Sequence, residues 1–106
     1  MIRYQVNPII FLMNNGGYTI EVELHDGPYN KIKNWDYAGL MNVFNAGDGN
    51  GLGIKVKTAG DLSAAITQAI AHQGGPVLIE CPLSRDDCSK QLAEWGSHVA
   101  KANARV

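Results

Sequence analysis

The chain has 106 residues, 45% of them apolar and 18% charged, with a formal net charge of −1. That length suits one domain or part of one. The near-neutral charge argues against a nucleic-acid footprint, and no apolar stretch reaches transmembrane length, so the expectation is a soluble, cytoplasmic protein.

The opening residues, "MIRYQVN", lack the long apolar core of a signal peptide. Residues 8–13, "PIIFLM", form a continuous apolar run ended by Asn and Gly. Such a run predicts a strand buried on both faces, as in a parallel sheet. Residues 18–24 read as a short helix opening from a glycine turn. Residues 25–34, "HDGPYNKIKN", are rich in turn formers and read as a loop. Residues 35–45 carry Tyr37, Leu40, Met41 and Phe44 at helical spacing. Residues 46–53, with four glycines, read as a loop. Residues 54–58, "IKVKT", alternate as a strand does.

The clearest helix is predicted over 61–72, where Leu62, Ala65, Ile66, Ala69 and Ile70 make one apolar face. Thr58 and Asp61 have capping-box spacing, with Asp in the usual place of Glu. "QGG" at 73–75 stops the helix. Residues 77–81, "VLIEC", read as a second buried strand ended by Pro82. Ser84 and Asp87 resemble another helix start, predicting a helix over 86–102 with Leu92, Trp95 and Val99 on one stripe. Strands alternating with helices imply an α/β class with a mainly parallel sheet. Only about three strands are visible, where a sheet of this kind has about five or six. The expectation is a partial layered domain, the second half of a larger fold, with no internal repeat and no clear linker.

Ligands of open α/β sheets sit beyond the carboxyl ends of the strands, and "NNGGYTIE" stands at such an end. Asn side chains offer neutral amide oxygens suited to a hard cation such as Mg²⁺. Gly lets a backbone carbonyl turn where a side chain would clash. The following helix start offers free N–H groups to a phosphate. Glu21, one turn in, can project into the same crevice. These residues fit a Mg²⁺–phosphate site with an acid/base carboxylate. They equally fit an Asn-Gly turn followed by a helix-favouring Glu.

The stretch "NPIIFLMNNGGYTIEVELHDGPYNKIKNWDYAGL" resembles the cofactor-binding segment of thiamine-diphosphate-dependent pyruvate decarboxylases, and more broadly of the indolepyruvate and other 2-oxo acid decarboxylases. The likeness continues through "GPVLIECPLSRDDCSKQLAEWG" and so spans nearly the whole chain. The blocks "NNGGYTIE" and "HDGPYN", in this order, are specific. The resemblance implies thiamine diphosphate and Mg²⁺ as cofactors and a small 2-oxo acid as substrate. It implies that Asn15 gives a side-chain oxygen, and Gly17 its carbonyl, to the metal. Gly16, Tyr18, Thr19 and Ile20 would complete the cofactor contact. Glu21 would be the acid/base carboxylate, and Ile20, Leu24 and Trp95 would line the substrate pocket. The parent family is typically a homotetramer with active sites between subunits; no nucleic acid and no membrane are involved.

The chain also departs from the family pattern. A GDG element should stand well before the paired asparagines, yet only 13 residues precede Asn14. The "GDG" at 47–49 comes after them, in a glycine-rich loop, so Asp48 reads as a turn residue. The Asp ligand for Mg²⁺, the pyrimidine-side domain with its activating glutamate, and the family's histidine pair are not found in these residues. The expectation is therefore residues 1–106 as the C-terminal part of a thiamine-diphosphate-binding domain, inactive by itself. Two alternatives remain open: a non-catalytic truncated fragment, and a free-standing α/β binding module. Elsewhere, Cys81 and Cys88 are expected as plain thiols. His25 reads as structural or exposed, His72 as a helix-closing residue and His98 as a surface one. Trp35 and Tyr37 read as anchors pinning their loop to the sheet, and Lys31 and Lys33 as solvated charges. Trp95 fits helix packing as well as a pocket wall.

Overall fold

A computed structural model describes residues 1–104; Arg105 and Val106, the end of the expected 1–106 extent, lie outside the described residues. The elements in chain order are β1 Ile9–Asn14, α1 Thr19–Leu24, α2 Leu40–Asn45, β2 Leu52–Lys55, α3 Ala59–Ala71, β3 Val77–Pro82 and α4 Lys90–Asn103, with single 3₁₀ turns at Ile2–Tyr4 and Pro28–Asn30. They group into two compact units. The first holds Met1–Asn14 and Trp35–Pro82; the second holds Asn15–Asn34 and the described residues from Leu83 on.

The first unit is a three-stranded parallel sheet in the order β1-β3-β2, as the alternation of strands and helices predicts. Register pairs Ile9 with Val77 and Leu52 with Val77, so odd-numbered residues of β1 and β3 share a face with Leu52 and Ile54. That face packs on α3. Val77, Ile79 and Cys81 meet Ala65 and Ala69, with Leu62, Ile66 and Val56 around them. The central strand β3 is buried from Val77 to Cys81, which explains its unbroken apolar start. α3 begins at Ala59, two residues ahead of the expected 61, directly after the N-cap Thr58. Thr58 Oγ1 accepts from Asp61 N at 3.0 Å, and Asp61 Oδ2 accepts from Thr58 N at 3.3 Å.

Several expectations need correction. β1 is not buried on both faces: it is an edge strand, and Ile9, Phe11 and Met13 are exposed at 38%, 45% and 59%. The strand expected over 54–58 forms earlier, because Asp61 Oδ2 accepts from Lys57 N as well as Thr58 N and commits those amides to the helix cap. Ile70 lies at the rim of the α3 stripe and stays exposed. The helix expected over 35–45 contracts to α2. Ahead of it, Asp36 Oδ1 accepts from Gly39 N in a side-chain-closed turn, and Ala46 ends it in the left-handed region.

Trp35 does not pin this segment to the sheet, being 60% exposed; Tyr37 is half-buried. The anchor is Ala38. Its N–H donates to Glu80 Oε1 at 3.1 Å, and a Cβ on Gly53 would stand 2.0 Å from its carbonyl oxygen. Glycine at 53 is thus what permits the close approach. Glu80 is 1% exposed, and Lys55 Nζ lies 3.4 Å from its Oε2, which makes no hydrogen bond.

In the second unit α1 packs against α4. The contact centres on the buried Gly96, where an added Cβ would come within 3.2 Å of both Ile20 Cδ1 and Glu23 Cβ. α4 starts later than the Ser84–Asp87 pattern suggests. Those two residues form only a turn, while Ser89 Oγ caps the helix by accepting from Leu92 N at 3.2 Å. The expected stripe on α4 is displaced as well: Leu92 and Trp95 are exposed, Val99 is half-buried, and Gly96 is the residue that faces α1.

Candidate active site

Every residue singled out for the site falls in the second unit. The unit begins at Asn15, directly after the carboxyl end of β1. Gly16 has φ +75°, a left-handed conformation that glycine adopts without strain. Gly17 does not: its φ is outside that region, and an added Cβ would meet only Asn30 O at 3.5 Å, an ordinary contact. The turn is therefore made by Gly16, whereas nothing in the chain's own packing demands glycine at 17.

Asn15 is half-buried, and both ends of its amide are engaged. Nδ2 donates to Thr19 Oγ1 at 3.0 Å, and Oδ1 accepts from Gly17 N over a long 3.4 Å. Thr19 Oγ1 in turn donates to Arg85 O at 2.5 Å. Tyr18 is the N-cap of α1, half-exposed and without a side-chain cap. The first-turn N–H groups of α1 have no intrahelical acceptor. With six residues, though, α1 is too short for much of the dipole expected of a helix start.

Glu21 sits in the first turn of α1 with its side chain exposed. Leu24, three residues on, stands on the same side of the helix and is half-buried. Ile20, four residues before Leu24 and so on its face of α1, places Cδ1 over Gly96. Trp95, beside Gly96 in sequence, is 54% exposed.

The block "HDGPYN" closes on itself. The His25 ring hydrogen-bonds the Tyr29 hydroxyl and stacks on that ring, centroids 6.1 Å apart. Asn30, 4% exposed, donates from Nδ2 to His25 O at 3.0 Å and from its backbone N to Gly27 O at 3.0 Å. Its own carbonyl is the atom nearest to a Gly17 side chain. An Asn after Pro-Tyr looks in sequence like any turn amide; the signal that marks Asn30 is its place in the "HDGPYN" block. His25 is exposed and engaged locally, as expected. His98 is exposed too, and His72 closes α3 with Nε2 at 2.6 Å from Asn50 O. Cys81 is buried and Cys88 half-buried, both as thiols.

The two oxygens that the resemblance assigns to a metal, the Asn15 amide and the Gly17 carbonyl, are neutral. Hard oxygens of this kind suit Mg²⁺, which keeps several ligands from water or phosphate. Among the described residues no cluster of three His, Cys, Asp or Glu could hold a metal alone. The donor set suits a cation whose charge balance and remaining ligands come from other groups. It does not fit a self-sufficient metal centre. No helix among the described residues is long and apolar enough to cross a membrane.

Residues 1–81 match the family described as thiamine pyrophosphate enzyme, C-terminal TPP binding domain. Over 105 residues the chain is 58% identical to a pyruvate decarboxylase of Neurospora crassa and 53% identical to a probable pyruvate decarboxylase of Schizosaccharomyces pombe, covering 99% of this chain each time. It is 52% identical to pyruvate decarboxylase 2 of Oryza sativa, again over 99% of this chain. The chain spans only 17–18% of the length of these relatives. With the α/β parallel sheet and the strand-end "NNGGYTIE" block, the match over more than half its length shows that the chain belongs to the thiamine pyrophosphate enzyme family, in its C-terminal TPP-binding domain.

Proposed function

We propose that this chain is the metal- and diphosphate-facing part of a 2-oxo acid decarboxylase that converts pyruvate to acetaldehyde and CO₂ with thiamine diphosphate and Mg²⁺. The observation that carries the reading is the Asn15 amide, held at both ends in one short turn with Glu21 in the helix that follows. The names of the relatives support the choice of pyruvate. The 106 residues are read as the C-terminal part of the domain, the GDG element and the pyrimidine-side domain being supplied from outside them. The working enzyme is read as a cytoplasmic homotetramer with active sites between subunits.

In this reading thiamine diphosphate, when bound, supplies the electron sink for loss of CO₂. Asn15 Oδ1 and the Gly17 carbonyl hold Mg²⁺. Gly16 gives the turn that presents them, and Tyr18, Thr19 and Ile20 bring the first-turn N–H groups of α1 toward the diphosphate. Glu21 holds and returns a proton at its carboxylate, which is exposed in the first turn of α1. Leu24, one turn on in α1, sets an apolar side chain beside that carboxylate. Ile20 and Trp95 complete the apolar wall against a small 2-oxo acid.

Calorimetric titration with thiamine diphosphate, with and without Mg²⁺, and an acetaldehyde assay with pyruvate test the reading. The longer polypeptide that carries this chain is expected to bind in a Mg²⁺-dependent manner and to release acetaldehyde. The isolated 106 residues are expected to show no measurable turnover. A longer polypeptide that binds no thiamine diphosphate overturns the reading. In that case the alternative, an α/β binding module without activity, stands.

A further inference from the structure

We propose that Thr19 is a positioning residue that fixes which end of the Asn15 amide faces the cation. The inference rests on the reading of Asn15 as a metal ligand. It starts from the direction of protons along a three-member chain. The Arg85 carbonyl can only accept, and Thr19 Oγ1 lies 2.5 Å from it. The single hydroxyl proton of Thr19 is therefore committed to Arg85. What remains at Oγ1 is acceptor capacity, and the group 3.0 Å away on Asn15 must be the donor, Nδ2.

With Nδ2 held, Oδ1 is turned to the opposite side. A second contact agrees with this sense: the Gly17 N–H, a donor, faces Oδ1 at 3.4 Å. That bond is long, and an amide oxygen carries two lone pairs, so Oδ1 retains capacity for a cation. A flipped amide would set NH₂ against the Gly17 N–H and an oxygen against an oxygen with no proton to share. The chain of bonds thus selects one of two orientations that fill nearly the same space.

The position of Thr19 agrees with this role. It is the first residue of α1 and not its N-cap, which is Tyr18, and α1 has no side-chain cap. Its hydroxyl is therefore not used in the ordinary way of a Thr at a helix start. It reaches instead to the segment that follows β3, 66 positions away in the chain. Residues that orient a metal ligand in this way commonly alter metal affinity by about 10–100-fold when removed.

The test compares Thr19→Val, which keeps the shape and loses the hydroxyl, with Thr19→Ser, which keeps the hydroxyl. The first readout needs no cofactor: the Asn15 side-chain NH₂ resonances by ¹⁵N NMR. They are expected at shifted, slowly exchanging positions in the parent chain and in Thr19→Ser, and at solvent-like positions in Thr19→Val. The second readout is the Mg²⁺-dependent affinity for thiamine diphosphate of the longer polypeptide, expected to fall about 10–100-fold in Thr19→Val and to be restored in Thr19→Ser. Unchanged Asn15 resonances in Thr19→Val overturn the proposal. If that variant does not fold, the parent chain decides: a solvent-like exchange rate for the Asn15 NH₂ overturns it, and protection supports it. An amide that responds as expected in a polypeptide with no affinity for Mg²⁺ and thiamine diphosphate supports the positioning role and removes only the ligand reading of Asn15.

Discussion

Glu80 Oε1 accepts the backbone N–H of Ala38 at 3.1 Å, across 42 positions of chain. The carboxylate stands in the middle of the central strand, 1% exposed, after its apolar start. A buried carboxylate is tolerated when its oxygens are engaged. Here one oxygen holds the return segment onto the sheet and the other faces Lys55, whose side chain is 56% exposed.

Replacement of Glu80 separates these two functions. Glu80→Gln keeps an acceptor for Ala38 and loses the ion pair, which a half-exposed lysine makes worth no more than about 1 kcal/mol. Glu80→Leu leaves the Ala38 N–H without its acceptor, at about 1–3 kcal/mol. Urea unfolding midpoints should therefore fall in the order parent, Gln, Leu. A Leu variant as stable as the parent would show the bond to Ala38 to be idle.

The α3 cap gives a second stability prediction. Thr58 and Asp61 bond each other's backbone N–H groups, so Thr58→Ala should cost about 1 kcal/mol. Asp61→Ala should cost a similar amount, since Asp61 Oδ2 also accepts from Lys57 N. Because the two side chains form one reciprocal unit, the double variant should lose less than the sum of the two. Strict additivity in thermal or urea unfolding would count against a coupled box.

These cases show why some of the fold was legible and some was not. α3 and β3 were readable because cap, periodicity and stop signal agree with one another locally. β1 was read as buried on both faces because an apolar run does not say whether a strand is central or at an edge. Ser84–Asp87 has the spacing of a cap and so predicts too early a start for α4; only the geometry shows that Ser89 does the capping. The division into two units follows long-range contacts, and no linker composition marks the passages after Asn14, Asn34 and Pro82. Asn15, Gly17 and Glu21 stand out in the sequence as a chemical pattern, and the resemblance proposes their roles. Thr19's reach to Arg85 and Asn30's closing of the 25–30 turn could not be seen, because each depends on chain distant in sequence or on a turn closing on itself.

Glu21 gives the prediction on chemistry. In the longer polypeptide, Glu21→Gln should lower kcat by about 10²–10⁴-fold, the range for a lost general acid/base. Its exposure and its first-turn position make a folding defect unexpected. The Mg²⁺-dependent affinity for thiamine diphosphate should stay within a few-fold of the parent, by calorimetry. An equal loss of affinity and turnover would assign Glu21 to cofactor binding instead.

The adjacent glycines should respond in opposite ways. At Gly16, φ is +75°, and an alanine there is strained although its Cβ would meet nothing within 4 Å. Gly16→Ala should destabilise the chain by about 1–2 kcal/mol. At Gly17, φ is ordinary and an added methyl would meet only Asn30 O at 3.5 Å, so Gly17→Ala should leave the unfolding midpoint unchanged. If Mg²⁺ and diphosphate approach the Gly17 carbonyl, that methyl intrudes where they lie, and affinity should drop by at least about tenfold, near 1.4 kcal/mol. Stability is read by urea unfolding of the chain and affinity by calorimetry on the longer polypeptide. A Gly17→Ala variant that binds as tightly as the parent would mean that the cofactor does not come close to this glycine, and would withdraw its carbonyl from the metal site.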